Sequence, residues 1–346
     1  MATLTENGQV LDDELTKFVS WTARLVAAAR ALETDEPDAV FRDPLARVLA
    51  GPKATEYVDT LTRGFPEKST SLILGLPPER PGGKRRVGGV IVRTQFFDTA
   101  ILAATGGLKE LYTWLPKSLS LEPIQQVVML GAGLDARPWR LPLAAGIRWY
   151  EIDRQEVLRV KEKILQASGA PMRSADNEGA SIPVRASEVI PIVTDFEQPG
   201  WPRALQDAGF DSKQPVLWHA EGLFNYLTAD AVERVLTEAS QACGPGSIFT
   251  ATMLCDQALA VRQHTHHMQS MRDVSKSCWG APTPPEKTKA FMKSCGWKVL
   301  ELTEMNDAAP HVLPGREYNL PEHSVPGEEA WYYFMIAACE SPDSIQ

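Results

Sequence analysis

Gln126-Val-Val-Met-Leu-Gly-Ala-Gly-Leu-Asp135 decides the fold. A short apolar run that stops at glycines reads as a buried strand entering a tight turn. Glycines there let the backbone turn sharply and approach a ligand without a Cβ in the way. A helix that follows such a turn points its positive end at the ligand. About 20 residues further on, Ile147-Arg-Trp-Tyr-Glu-Ile152 reads as a second strand, and its end carries Glu151 and Asp153. A carboxylate at that place accepts from the ribose hydroxyls of a nucleoside. Turn and acid together predict a nucleoside pocket at the carboxyl edge of a sheet, with Gly131 and Gly133 beneath the ligand. Spacing leaves both Glu151 and Asp153 open as the ribose partner. Ala136 fits the third small position of the dinucleotide fingerprint, so a nicotinamide cofactor also stays open.

Outward from this stretch the pattern alternates. Residues 155–166 read as a charged helix, 168–183 as a polar loop insertion and 188–194 as a third strand ending at Asp195. Strands follow at 215–220, 247–254, 298–303 and 330–338, with helices at 230–243 and 286–295. Strand, helix, strand repetition predicts an α/β fold with a parallel sheet covered on both faces. Upstream the chain reads as helical. Phe18, Trp21, Leu25 and Val26 share one face, Pro44 suits the first turn of a helix beginning in residues 41–45, and a helix spans 90–104. Residues 77–89, rich in Pro, Gly and basic side chains, read as a linker. The expected division is a helical cap with lead-in helices over 1–122, then a Rossmann-like core over 123–346 carrying a substrate-side insertion at about 256–285.

Asp195-Phe196 closes the third strand and offers a carboxylate for an exocyclic amine beside a ring that can stack on adenine. Glu221-Gly222 closes the fourth strand beside the reacting centre, and Arg93 supplies a cationic fork suited to an amino-acid carboxylate. Adenine, ribose and amino acid together describe S-adenosyl-L-methionine better than NAD.

The motifs Arg93-Thr-Gln-Phe-Phe-Asp98, Gly131-Ala-Gly-Leu-Asp-Ala-Arg137, Tyr150-Glu-Ile-Asp153, Asp195-Phe196 and Glu221-Gly-Leu-Phe-Asn-Tyr-Leu227 resemble, in this order, those of the leucine carboxyl methyltransferase family. That family holds protein phosphatase methyltransferases and many bacterial small-molecule relatives. The resemblance implies a class I S-adenosyl-L-methionine-dependent methyltransferase: a seven-stranded sheet whose last strand runs antiparallel. It implies that Arg93 binds the cofactor's carboxylate, that Gly131 lies under the methionine part and that Asp153 is the ribose partner. It matches Asp195 and Phe196 to the adenine, and Glu221 to the methionine amine. The longer Gly131-Ala-Gly-Leu-Asp-Ala-Arg-Pro-Trp-Arg-Leu-Pro142 motif looks like the bacterial branch, and with the 77–89 and 168–183 loops it points away from a phosphatase substrate.

The 346 residues suit one large domain or two smaller ones, and an apolar share of 44% allows a sizeable core. A net charge of −9 argues against a general nucleic-acid binder. There is no bilayer-length apolar run and no secretory leader pattern, so a cytoplasmic enzyme acting on a small molecule is expected. Five cysteines, odd in number and without a CxxC pair, read as buried thiols. His264-Thr-His-His267 lacks the partners of a zinc site.

Methyl transfer from a sulfonium rests on holding nucleophile and methyl in line. A carboxylate or acidic hydroxyl needs aiming but no strong base, whereas a neutral hydroxyl or an amine needs one. Tyr226 and His219 are the candidates on the acceptor side. Tyr226 also reads as a packing residue at a helix start, and His219 as a core histidine. Arg24 and Trp21 could close over the cofactor or cover apolar surface as a packed helix.

Overall fold

The structure, a computed structural model, describes residues 17, 19–64, 86–107, 114–116, 123–264, 278–319 and 332–340. Its centre is a seven-stranded sheet. β1 (Arg86–Gly88) lies outside it. β2 (Gln126–Leu130), β3 (Arg148–Asp153), β4 (Glu188–Val193), β5 (Val216–Ala220), β6 (Ile248–Leu254), β7 (Trp297–Glu304) and, after β8 (Glu317–Asn319), β9 (Tyr332–Cys339) stand in the order β4-β3-β2-β5-β6-β9-β7. The strands from β4 to β6 are parallel, and β9 runs antiparallel to β6 and to β7. β2, β5 and β6 are buried along their whole length, which is why their sequences are apolar runs and not alternations. β4 is an edge strand, half exposed, and carries Pro191. Proline has no ladder donor to give and is tolerated at an edge.

The chain leaves β2 outward to β3 and β4, then returns to β5 on the other side of β2. Strand order therefore reverses between β2 and β5, the place where open α/β sheets bind ligands.

Helices cover both faces. α1 (Trp21–Asp35) is N-capped by Ser20, whose hydroxyl accepts from the Ala23 N–H. α2 (Ala46–Ala50), α3 (Pro52–Gly64) and α4 (Gly89–Ala104) complete the N-terminal set. α5 (Arg137–Arg140) follows the glycine turn, α6 (Gln155–Ala167) follows β3, α7 (Trp201–Asp207) follows β4, and α8 (Ala229–Gln241), N-capped by Thr228, follows β5. α9 (Asp256–His264), α10 (Pro285–Ser294) and α11 (Met305–Val312) are the remaining α-helices among the described residues. One apolar cluster joins Leu25 and Leu49 to Phe96, Phe97, Val127, Trp149 and Phe334, so residues on both sides of position 122 share a core. Among the described residues no helix is long and apolar enough to cross a membrane.

Several local expectations change. The helix expected from Phe41 starts only at Ala46, because the Asp43 carboxylate accepts from the Leu45 N–H and holds residues 43–45 in a turn. The end of the 77–89 linker is structured: residues 86–88 pair in parallel with β8 as a separate two-stranded sheet, and Gly89 opens α4. Residues 77–85 lie outside the described set, as do 265–277, which hold most of the histidine cluster. The 168–183 insertion is ordered by Asn177, whose side chain both donates to the Val184 carbonyl and accepts from its N–H at 2.9 Å. Cys278 is exposed, and Cys243 and Cys339 are only half-buried.

Candidate active site

A cavity of about 540 Å³ opens over the tips of β2, β3, β4 and β5. Its floor is backbone. Gly131 (φ 70°) and Gly133 (φ 48°) occupy left-handed conformations after β2. A Cβ on Gly131 would stand 2.9 Å from Leu223 Cδ1, so the turn and the segment after β5 are packed to the limit that glycine permits.

Of the two acids at the end of β3, only Asp153 lines the cavity. Its Oδ2 accepts from the Gly133 N–H and its Oδ1 from the Arg154 N–H, both at 2.7 Å. Burial raises its pKa, and those two backbone donors pull the other way. Glu151 is elsewhere. Both its oxygens accept from Lys161 Nζ at 2.8 Å in a sealed pair, and Lys161 lies over the Trp139 ring. Burial also raises the Glu151 pKa, opposed by Lys161.

Asp195 and Phe196 line the cavity beyond Asp153. Asp195 is exposed and accepts from the Glu197 N–H in an Asx turn. Phe196 is buried edge-on against Trp201. Glu221, Arg93 and Tyr226 line the cavity on the β5 side. Arg93 Nε lies 2.8 Å from Glu221 Oε1 as an ion pair, yet that N–H is aimed at no hydrogen-bond acceptor. Tyr226 closes a short 3₁₀ turn, and its hydroxyl is 3.0 Å from Thr22 Oγ1 of α1, which is in turn 2.8 Å from Ser20 Oγ.

His219 does not reach the cavity. It is fully buried, with Nδ1 2.9 Å from Thr250 Oγ1 and Nε2 3.4 Å from Glu221. Burial lowers its pKa and the Glu221 hydrogen bond opposes that shift, so the ring rests neutral behind Glu221. Arg24 turns away as well: its Nε donates to the Ala50 carbonyl and its guanidinium lies over Trp21, which packs edge-on against Tyr57. The face of α1 that roofs the cavity is Thr22, Ala23, Val26 and Arg30.

Sequence reasoning passed over a buried array of alternating charge behind the site. Arg30 Nε donates to Asp43 at 2.9 Å and its Nη2 to the Leu134 carbonyl at 2.7 Å. Asp98 accepts from Arg140 at 2.5 and 2.7 Å. Arg137 bonds Asp98, Asp135 and Glu221. Burial alone would raise the Glu221 and Asp135 pKa values, but the guanidinium groups outweigh it. Arg137 and Arg93 hold Glu221 well below the usual carboxylate range, and Arg137, Arg30 and Arg140 lower Asp135. The signal available in the sequence was the Arg137-Pro-Trp-Arg140 stretch directly after the glycine turn.

The pattern of the leucine carboxyl methyltransferase family matches residues 23–240. A relative from Mycobacterium avium (strain 104), named "Putative S-adenosyl-L-methionine-dependent methyltransferase", is 33% identical over 84% of this chain and 87% of its own length. One of the same name from Mycolicibacterium gilvum (strain PYR-GCK) is 34% identical, with 85% and 88% covered. A DUF574 family protein of known crystal structure from Streptomyces avermitilis shares the fold at a TM-score of 0.51 and 12% identity, covering 94% of this chain and 99% of that one. The relatives decide the choice left open at the glycine turn: the donor is S-adenosyl-L-methionine, not a nicotinamide. The residues present fit it, with a closely packed glycine floor, an acid at the tip of β3 and an arginine beside an acid at the cavity wall for the two charges of an amino-acid end.

Proposed function

This chain belongs to the leucine carboxyl methyltransferase family and is an S-adenosyl-L-methionine-dependent methyltransferase; from that premise we propose that it methylates an oxygen of a small molecule, a carboxylate or an acidic hydroxyl. Asp153 would hold the ribose, Asp195 and Phe196 the adenine, Arg93 and Glu221 the amino-acid end, with Gly131 and Gly133 beneath. Bound there, the cofactor supplies a methyl group on a positive sulfur. The protein's share of the chemistry is then alignment and exclusion of water. The hydroxyls of Tyr226 and Thr22 aim the acceptor oxygen from the roof.

The observation that carries this reading is that Tyr226–Thr22 pair. It sets two linked hydroxyls on the cavity wall, while the nearby imidazole, His219, is committed to Thr250 and Glu221. Among the described residues no imidazole lines the cavity, and hydroxyls without such a base beside them suit a nucleophile that is already anionic.

The test uses purified protein, methyl-tritiated S-adenosyl-L-methionine and a panel of small carboxylic acids, phenols and amines. Transfer to a carboxylate gives a product that releases volatile tritiated methanol in mild alkali; transfer to a phenol gives an alkali-stable ether. Exclusive labelling of amines would overturn the oxygen assignment. Labelling of a peptide carboxyl terminus in place of every small acid would overturn the small-molecule assignment.

A further inference from the structure

Arg137 is only 1% exposed, and its guanidinium is committed on every side. Nε donates to Asp98 Oδ1 at 2.7 Å, Nη2 to Glu221 Oε2 at 2.8 Å and Nη1 to Asp135 Oδ2. Its backbone N–H donates to Asp135 Oδ1 at 2.8 Å. The three carboxylates come from α4, from the glycine turn and from the residue after β5. Glu221 and Asp135 line the cavity; Asp98 does not, and divides its oxygens between Arg137 and Arg140. A planar fork fixes the rotation of the carboxylates it binds, which a point charge does not.

We propose that Arg137 is a positioning residue for cofactor capture: clamped from behind by Asp98, it fixes the Glu221 carboxylate so that Glu221 presents an oriented negative charge to the cationic amine of the cofactor's amino-acid end. The inference rests on the cofactor assignment made above. Arg137 itself touches no reactant.

Among the described residues, three titratable side chains face Glu221 directly. Arg93 of α4 approaches Oε1, Arg137 holds Oε2, and His219 of β5 stands 3.4 Å away. Asp135 lies across Arg137, and the Glu221 charge opposes its ionisation. Loss of the Arg137 cation leaves Glu221 with Arg93 and a neutral imidazole, and the buried carboxylate then takes up a proton far more readily.

The experiment measures S-adenosylhomocysteine affinity by calorimetry from pH 5 to 8 for the wild type, Arg137→Gln, Arg137→Lys and Asp98→Asn, with a melting curve for each. Expressing each variant as a ratio to wild type cancels titrating groups that Arg137 does not touch, such as Asp153; Asp135, which it does touch, is followed in a parallel Asp135→Asn background. Arg137→Gln is expected to weaken binding about tenfold at pH 8 and progressively further toward pH 5, up to about tenfold per pH unit once Glu221 protonates. Arg137→Lys keeps the charge but not the fork, so its ratio is weakened yet flat with pH. Asp98→Asn weakens binding by a smaller factor. A residue that merely supports the fold would lower the melting temperature and leave the Arg137→Gln ratio independent of pH; that outcome, or an unchanged affinity in folded Arg137→Gln, overturns the proposal. If Arg137→Gln does not fold, Asp98→Asn decides: wild-type affinity there overturns it. Failure of the wild type itself to bind would strike the cofactor assignment and not the role of Arg137.

Discussion

Asp153 Oδ2 accepts the Gly133 N–H at 2.7 Å, so the acid at the tip of β3 is bolted to the glycine turn after β2. The bond ties together an acid and a glycine that stand 20 positions apart in the chain. Asp153→Ala removes both the cavity carboxylate and the partner of a turn donor. Charged hydrogen bonds of this kind are worth about 1.5–3 kcal/mol each, so affinity for S-adenosylhomocysteine should fall at least tenfold in calorimetry. Glu151→Ala is the control. It leaves Lys161 buried without its partner, should cost about 3–5 kcal/mol in urea unfolding and should leave cofactor affinity nearly intact. Exchanged phenotypes would mean that Glu151, not Asp153, serves the cavity.

The two glycines of the turn should respond differently to alanine. Gly131→Ala meets Leu223 Cδ1 at 2.9 Å in addition to a left-handed φ, and should lose about 1–3 kcal/mol of stability together with cofactor affinity. At Gly133 the nearest atom to an added Cβ is the Gly131 carbonyl oxygen at 3.9 Å. Gly133→Ala therefore bears only the conformational cost, about 1 kcal/mol. Equal losses by thermal melting would show that contact with Leu223 does not matter.

Tyr226→Phe keeps the ring and removes the hydroxyl that meets Thr22. With an oxygen acceptor, kcat/KM should drop by about one order of magnitude while the Kd for S-adenosylhomocysteine stays within about twofold, since one neutral hydrogen bond is worth about 1 kcal/mol. A loss confined to cofactor affinity would place Tyr226 on the other side of the reacting centre.

Acid should destabilise the fold early, through His219. Its folded pKa lies below the ordinary value of about 6.5. Below pH 6.5 the unfolded chain therefore binds a proton that the folded chain refuses, and stability falls with pH by up to about 1.4 kcal/mol per unit. Glu221 adds nothing in this window: its depressed pKa gives stability that is complete above about 4.5 and is lost only as pH falls through the still lower folded value. Glu151, raised by burial, has the opposite slope and is common to both proteins compared. Wild type should thus lose about 1 kcal/mol more than His219→Gln between pH 7.5 and 5.5 in urea unfolding. Parallel curves would show that His219 titrates normally.

What could be read in advance follows from how each feature is encoded. β2, β3, β5 and β6 were legible because buried parallel strands are apolar runs punctuated by glycine and acid, and the site residues at their tips come with them. For α1, covering apolar surface as a packed helix is the reading that Arg24 and Trp21 follow. Thr22, Val26 and Arg30 recur at i+4 and line the roof, whereas Arg24 points toward α2. β1 and β8 escaped notice because three-residue strands have no measurable period and their partners lie over 200 positions apart. α7 is short, and its one sequence cue was Pro202 in its first turn. Arg137 sat in plain view within a quoted motif. Its role depends on Asp98 and Glu221 arriving from 39 positions before and 84 after, which no local pattern records.

The outer margins of the large sheet bear on how copies of this protein meet. β4 lacks one main-chain donor at Pro191, and β7 is broken by a register shift between Val299 and Glu301. A proline on one outer strand and a bulge in the other are the kinds of feature that make a sheet edge a poor template for a neighbouring strand. Pairing of one copy's sheet with another's is therefore disfavoured at both outer strands.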